Sequence, residues 1–143
     1  MLNRTINIPG RPRPQGSKRH VGHGIMVEAS PHTRTYRADI QTEWDKFPVP
    51  ASELPVTIWV TFTFARPASH YLPANKKRTV RELRADASTV MEGPPDIDKL
   101  LRAVFDALTG RAYRDDRQVV QVMALKQWGE YDVTSLTVQA GER

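Results

Sequence analysis

Residues 93–110, GPPDIDKLLRAVFDALTG, constrain the fold of this 143-residue chain more than any other segment. Leu100, Val104 and Leu108 recur every fourth residue or so, and that spacing gathers apolar side chains on one face of an α-helix. Consecutive prolines stand before the apolar run, and a residue that precedes proline is pushed into extended backbone. Gly110 occupies the position just past the helix end, where glycine is common. The segment therefore predicts a short amphipathic helix that must bury one face against another element.

A second helix and several strands are predicted around this segment. Tyr36, Ile40 and Trp44 are four residues apart, which indicates an amphipathic helix over 33–47. Residues 56–64, VTIWVTFTF, alternate apolar and threonine positions, which is typical of a strand. The same reasoning predicts further strands at 3–8, 25–27, 118–128 and 133–138. This order predicts the α/β class, with two main helices packed on a mixed β-sheet.

The composition excludes several classes of site. At 143 residues the chain predicts a single domain, 1–143, with one hydrophobic core. It has no cysteine, so disulfides, thiolate chemistry and cysteine-based zinc sites are excluded. None of its four histidines has the spacing of a metal-ligand pair, so any bound metal is expected to be a hard cation held by carboxylate oxygens. Because it has neither an apolar run of about 18 residues nor an apolar signal core, we expect a cytoplasmic protein with no membrane partner.

The charge distribution favours an anionic partner. The net charge is +5 and the pI is about 9.8. Basic side chains are concentrated in two predicted loops, an N-terminal loop at 9–24 and a longer polar loop at 66–95. Arginine forks in such clusters match the geometry of phosphate, so nucleic acid is the predicted partner. The predicted DNA-binding residues in these loops are Arg11, Arg13, Lys18, Arg19, Lys76, Lys77 and Arg78.

Two aspartates, Asp96 and Asp98, stand where the prolines end and the helix begins. In one interpretation Asp96 is the helix N-cap and Asp98 complements the helix dipole, each worth about 0.5–2 kcal/mol at most. In the other, extended backbone lets both carboxylates converge while Ile97 points into the core, and converging carboxylates require a cation between them. Asp116 lies in a turn between elements expected to be adjacent, and Arg102 lies one helical turn after Asp98. Together these residues favour a metal site for phosphodiester cleavage.

The same residues carry a family resemblance. DIDKLLRAVFDALTG, followed by AYRDDRQVV, resembles the RusA family of Holliday junction resolvases, small endonucleases common on phages and prophages. That family has the pattern D-x-D-(N/K)-L-x-K-x-x-x-D-A-L, a short gap, and then D-D-x-Q-V. The resemblance is strong over residues 94–126 and looser elsewhere. It implies a homodimer of α/β subunits that requires magnesium, with manganese as a plausible substitute, and that resolves four-way DNA junctions by paired symmetric nicks in recombination and repair.

Residue by residue, the resemblance implies roles for four side chains. The family's metal-binding acids fall on Asp96, Asp98 and Asp116, and no small-molecule cofactor is implied. Its catalytic lysine falls on Arg102, which is a departure from the pattern. A guanidinium can stabilise charge in a transition state, but it neither gives up its proton nor presents a compact ammonium.

Two neighbouring positions also match the pattern. Lys99 stands at a position that is asparagine in most members, and it joins the expected DNA-binding residues. Asp106, one turn after Arg102, is expected to orient that arginine through an ion pair. The resemblance further implies action in the bacterial cytoplasm or in a phage-infected host.

Three alternatives come from other classes. A D-x-D sugar-nucleotide transferase also uses magnesium or manganese, but the chain is short for two substrate sites and lacks a glycine-rich phosphate loop. A nuclease with the PD-(D/E)xK motif would begin at Pro95 and Asp96, but the residues after Asp116 lack the second half of that motif. The third alternative is a non-catalytic basic protein that binds DNA junctions through a degenerate site. Metal-dependent cleavage would separate it from a resolvase.

Overall fold

The computed structural model describes residues 2–16, 18–20, 22–24, 26–28, 31–75 and 80–141, with the backbone alone at 18–20 and 26–28. In chain order the elements are β1 (Leu2–Pro9), β2 (Lys18–His20), β3 (Met26–Glu28), α1 (Pro31–Asp45), β4 (Val56–Ala65), a 3₁₀ turn (Ala68–His70), α2 (Ile97–Leu108), a second 3₁₀ turn (Asp116–Gln118), β5 (Val119–Gly129) and β6 (Val133–Ala140).

Four strands form a mixed sheet in the order β1-β6-β4-β5. β6 runs antiparallel to both β1 and β4, whereas β5 runs parallel to β4. Parallel neighbours need a long crossover connection, and here that connection contains α2. β2 and β3 form a separate antiparallel hairpin. The sheet and its two helices confirm the predicted α/β class.

The connection from β5 to β6 crosses the end of β4. Ala65 N donates to Asp132 Oδ1 at 2.8 Å, and Arg66 N donates to Gly129 O at 3.1 Å. A Cβ atom at position 129 would collide with Thr63 Cγ2, so only glycine lets the chain pass this closely. These contacts fix the β5–β6 connection to the end of β4.

Both helices contribute to a core on one face of the sheet. β4 buries every second side chain on that face, and the other face of the same strand is only partly covered. The Tyr36 hydroxyl of α1 lies 2.6 Å from Thr134 Oγ1 of β6, which ties the helix to an inner strand of the sheet. The fully buried large side chains from these elements include Trp44, Ile58, Phe62, Phe64, Leu100, Val104, Leu108 and Leu136.

The predicted helices and strands are present, with ends displaced by one or two residues. The prediction of one continuous loop at 9–24 is wrong, because β2 lies within it; a three-residue strand is too short to show a period. The loop at 66–95 is largely irregular where it is described, apart from the first 3₁₀ turn and a bridge between Tyr71 and Leu83. Over the described ranges, no helix has the length and apolar character needed to cross a membrane.

The structure does not describe all of the predicted DNA-binding residues. Lys76, Lys77 and Arg78 lie outside the described residues, and so do the side chains of Lys18 and Arg19.

Candidate active site

Asp96 stands at the N-cap position of α2 but does not act as a cap. Its backbone is extended, with φ −68° and ψ 140°, and its side chain makes no capping hydrogen bond. The carboxylate is largely exposed and lies 3.9 Å from Lys99 Nζ, a long ion-pair contact. An aspartate that served only as a cap would accept a hydrogen bond from an N–H group of the first turn. The capping interpretation therefore does not account for Asp96.

Asp98 begins a charged stripe on the exposed face of α2. Arg102 and Asp106 follow at intervals of four residues, so the three side chains share that face. Within the part of the chain that the structure describes, Arg102 forms no ion pair with either aspartate, so the expected Asp106 ion pair is not present. Ile97 is 36% exposed, and the prediction that it points into the core is wrong. The helix begins at Ile97 itself, so the alternation of an extended chain does not apply there.

Residues 10–16 carry basic side chains to the start of α2. Gln15 N donates to Lys99 O at 3.0 Å, and Thr33 Oγ1 of α1 donates to Pro14 O at 2.5 Å. These bonds hold the segment against both helices. A groove of about 410 Å³ lies between the segment and α2, lined by Arg11, Pro12, Arg13, Pro14, Pro94, Pro95, Asp96 and Lys99.

This groove brings together three predicted DNA-binding residues and a predicted metal ligand. The Arg11 guanidinium also lies 5.1 Å from the centroid of the Phe64 ring, a cation–π contact that helps to fix its position. Arg13 and Lys99 complete the basic side of the groove, and Asp96 is its acidic end. Residues from the N-terminal segment and from α2 thus form one continuous surface.

Asp115 and Asp116 are neighbours in sequence with different surroundings. Asp115 Oδ1 accepts a hydrogen bond from Arg117 N at 2.9 Å, and Gln118 Oε1 accepts one from Asp115 N at 2.9 Å. This reciprocal pair is a capping box for the second 3₁₀ turn. Asp116 is exposed, and its side chain has no hydrogen bond or ion pair with another described residue. Of the two carboxylates, Asp116 is the one left open to a ligand.

Tyr113 connects this turn to α2. Its hydroxyl donates to Phe105 O at 3.1 Å. Burial raises the pKa of the Tyr113 hydroxyl well above its ordinary value, and the negative charges of Asp116 and Asp106 raise it further. Both carboxylates therefore lie within electrostatic reach of one hydroxyl group, near the second half of α2. Asp98, at the other end of the charged face of α2, lies about 12 Å from Asp106 along the helix axis, at 1.5 Å per residue.

The acidic residues are not gathered into a closed cage. Among the described residues, no group of three or more His, Cys, Asp or Glu side chains is placed to hold a metal ion. Asp96 is the N-cap residue of α2 and Asp98 lies in its first turn, whereas Asp116 comes from a separate element. Magnesium is usually held by one or two protein carboxylates together with phosphate oxygens of the substrate. Two open aspartates beside a basic groove fit that set of donors.

Gln118 is a supporting residue that the sequence analysis missed. Its Nε2 donates to Ser52 O and Leu54 O, each at 2.9 Å, and its Oε1 also accepts from Arg114 N at 2.9 Å. One side chain thus fixes the turn that carries Asp116 to the segment before β4. The family pattern D-D-x-Q-V contains this glutamine, but only the folded chain shows its acceptors.

Lys126 is a second supporting residue that was missed. Its Nζ donates to Gly93 O at 2.8 Å and to Pro95 O at 3.0 Å, immediately before Asp96. The sequence contains a signal for it, because position 126 falls on the inward face of a predicted strand, where a charged side chain needs partners.

A family model described as Endodeoxyribonuclease RusA matches residues 9–139, almost the whole chain. The chain belongs to the RusA family. RusA proteins are endodeoxyribonucleases that resolve Holliday junctions, so family membership implies junction endonuclease activity and branched DNA as the substrate. Nucleases of the RusA family are generally dependent on a divalent metal. A search of curated proteins found no significant match.

Proposed function

We propose that this RusA-family protein is a magnesium-dependent resolvase that cuts four-way DNA junctions at the corner formed by Asp96 and Asp98. The observation that carries the proposal is the state of Asp96, which occupies an N-cap position without capping and faces a basic groove. Exposed carboxylates next to a phosphate-binding surface repel DNA unless a cation lies between them. Asp96, Asp98 and Asp116 would together hold one or two such ions.

The groove supplies the substrate contacts. Arg11, Arg13 and Lys99 are donors without acceptor atoms, and they suit the oxygens of a phosphodiester backbone. Since the segment that carries the arginines is bonded to both helices, its backbone is held in place before DNA arrives. We infer that the strand to be cut runs along this groove toward Asp96.

The protein's own groups then act on the phosphate. When bound, a divalent ion would polarise the phosphoryl oxygen and lower the pKa of a water molecule. Asp96 and Asp98 would fix the position of that ion, and manganese is expected to replace magnesium. Arg102, exposed on the same helix face as Asp98, would neutralise negative charge on the non-bridging oxygens.

We further propose a homodimer formed through the edge strand β5. Met123 and Leu125 are 56% and 51% exposed, and they share a face with Trp59 and Thr61 in register on β4. A long edge strand with exposed apolar side chains is prone to pair with another chain. A two-fold dimer would present two equivalent sites to the two like strands of a junction, which accounts for paired symmetric nicks.

A second candidate function rests on Arg102. If an arginine cannot serve where the family has lysine, the chain would bind branched DNA without cutting it. The same groove would then serve recognition alone. The bacterial cytoplasm, or a phage-infected host, remains the expected location for either function.

The test is a gel assay on a synthetic four-way junction, with magnesium or with EDTA and with linear duplex as competitor. We expect symmetric nicks that require magnesium, and we expect Asp98→Asn to abolish cleavage while junction binding stays equal or becomes tighter. Asp45→Asn removes the same charge at the exposed far end of α1, where it breaks only a surface ion pair with Arg111, and should cut normally. Cleavage by Asp98→Asn at the wild-type rate would refute the assignment of the site. Tight junction binding without cleavage by the wild type would favour the second candidate.

A further inference from the structure

Lys126 is a charged residue on the inward face of the edge strand β5. It pairs in register with a buried phenylalanine of β4, and paired residues share a face of the sheet. Ala124 and Trp128, two residues to either side, pack against the core. A lysine in such a position needs acceptors for its ammonium group. Those acceptors are the carbonyl oxygens of Gly93 and Pro95, both in the segment that leads into α2.

That segment offers mainly carbonyl groups for hydrogen bonding. Proline has no N–H, so Pro94 and Pro95 donate no backbone hydrogen bonds. A lysine ammonium has three donors and no acceptor, and its bonds to carbonyl oxygens are charge-assisted. Pro95 O and Asp96 N belong to the same planar peptide group. The bond from Lys126 therefore restrains the peptide unit on the N-terminal side of Asp96, while the bond from Leu100 N to Asp96 O, at 3.1 Å, restrains the unit on its C-terminal side.

Asp96 depends on this bond because its side chain has little other restraint. It is exposed and makes no capping bond, and its contact with Lys99 is long and between two solvated groups. The direction of its carboxylate is consequently determined by its backbone. Small displacements of groups that hold a reacting centre can cost large factors in rate.

We propose that Lys126 is the positioning residue of the acidic corner, holding Asp96 and the start of α2 in the geometry that binds the divalent ion. The inference rests on the function proposed above and deepens it, since it assigns a role to a residue outside the groove. Lys126 acts through the backbone of residues 93–95, and it contacts neither the ion nor the DNA in this role. It fixes the Asp96 corner as Gln118 fixes the Asp116 turn.

The test compares Lys126→Met, which keeps the apolar stem and removes the donors, with Lys126→Arg, which retains donors and charge. Manganese binding is measured calorimetrically in the absence of DNA. We expect Lys126→Met to weaken it by about 10–100-fold, the usual effect of losing an outer partner of a metal ligand. NMR order parameters of the amides at 96–99 should fall in the same variant. Junction binding in EDTA should change less than about twofold, and Lys126→Arg should recover most of the manganese affinity.

Trp128→Phe is the matched control. It removes another donor of β5 that holds the same loop, the bond from Trp128 Nε1 to Val90 O at 3.2 Å, and leaves residues 93–95 untouched. Its manganese affinity should equal that of the wild type. If Lys126→Met unfolds, Lys126→Gln, which keeps one donor group, should show an intermediate loss of affinity.

The outcomes separate this inference from the proposed function. Wild-type manganese affinity together with unchanged order parameters in Lys126→Met would overturn the positioning role. A wild-type protein that neither binds manganese nor cuts junctions would instead overturn the proposed function. In that event the order parameters alone still decide whether Lys126 holds the corner.

Discussion

At the scale of single residues, hydrogen-bond partners distinguish aspartates that the sequence presents as equivalent. Asp115 is engaged by the backbone of its own turn, whereas Asp116 beside it has no such partner among the described residues. Asp96 occupies a capping position and makes no cap. A carboxylate without a structural partner is the one that a functional site can use, because its oxygen atoms remain free to accept a ligand.

This distinction predicts opposite phenotypes for neighbouring substitutions. Asp115→Ala removes a cap and should lower the free energy of unfolding by about 0.5–2 kcal/mol, with cleavage retained once the protein is folded. Asp116→Ala touches an exposed side chain and should change stability by no more than about 0.5 kcal/mol, yet abolish magnesium-dependent cleavage. Urea denaturation and the junction assay measure the two effects. Normal cleavage by Asp116→Ala would reduce the ligand set to Asp96 and Asp98.

At the scale of elements, periodicity made the helices and the sheet predictable from the sequence. The regular spacing in α1 and the alternation in β4 report burial directly, and the ends were misplaced by two residues at most. The orientation of Ile97 was not predictable, since it depends on whether the chain at that corner is extended or helical. The long-range bonds of Gln118 and Lys126 join segments 31 to 66 residues apart, and no local pattern shows which distant groups these side chains reach.

The docking of residues 10–16 against both helices predicts a specific salt dependence. Each phosphate contact that is lost should reduce the slope of log affinity against log salt by about 1, because fewer counterions are released. Arg13→Gln should show this reduction for junction binding, measured by fluorescence anisotropy in EDTA.

Lys46→Gln provides the control for that measurement. Lys46 follows the far end of α1, about 20 Å along the helix axis from Thr33, which holds the segment, and it pairs with Glu43 at 2.8 Å. The substitution removes the same unit of charge at a position remote from the groove, so its slope should match that of the wild type. An equal loss in both variants would mean that only net charge matters, and that the groove makes no contact of its own.

At the scale of the whole molecule, the two faces of the sheet have different coverings and, in the proposed function, different roles. The helix-covered face carries the core and, at its margin, the acidic corner and the basic groove. The opposite face lacks a covering helix in the described chain and exposes apolar side chains along β5. A partner subunit on that face would leave both grooves accessible to DNA.

The dimer proposal predicts that Leu125→Glu converts the protein to a 16.2 kDa monomer in sedimentation velocity. Leu125 is half exposed, so the charge should be tolerated by the subunit fold while it opposes burial in an interface. On a supercoiled plasmid with an extruded cruciform, the wild type should produce linear DNA through two coupled nicks, and the variant should accumulate nicked circles. Phe47→Glu, at an equally apolar position 73% exposed just beyond α1, should remain dimeric. A dimer that survives Leu125→Glu would place the interface elsewhere, and a wild-type monomer would require the two nicks to come from separate binding events.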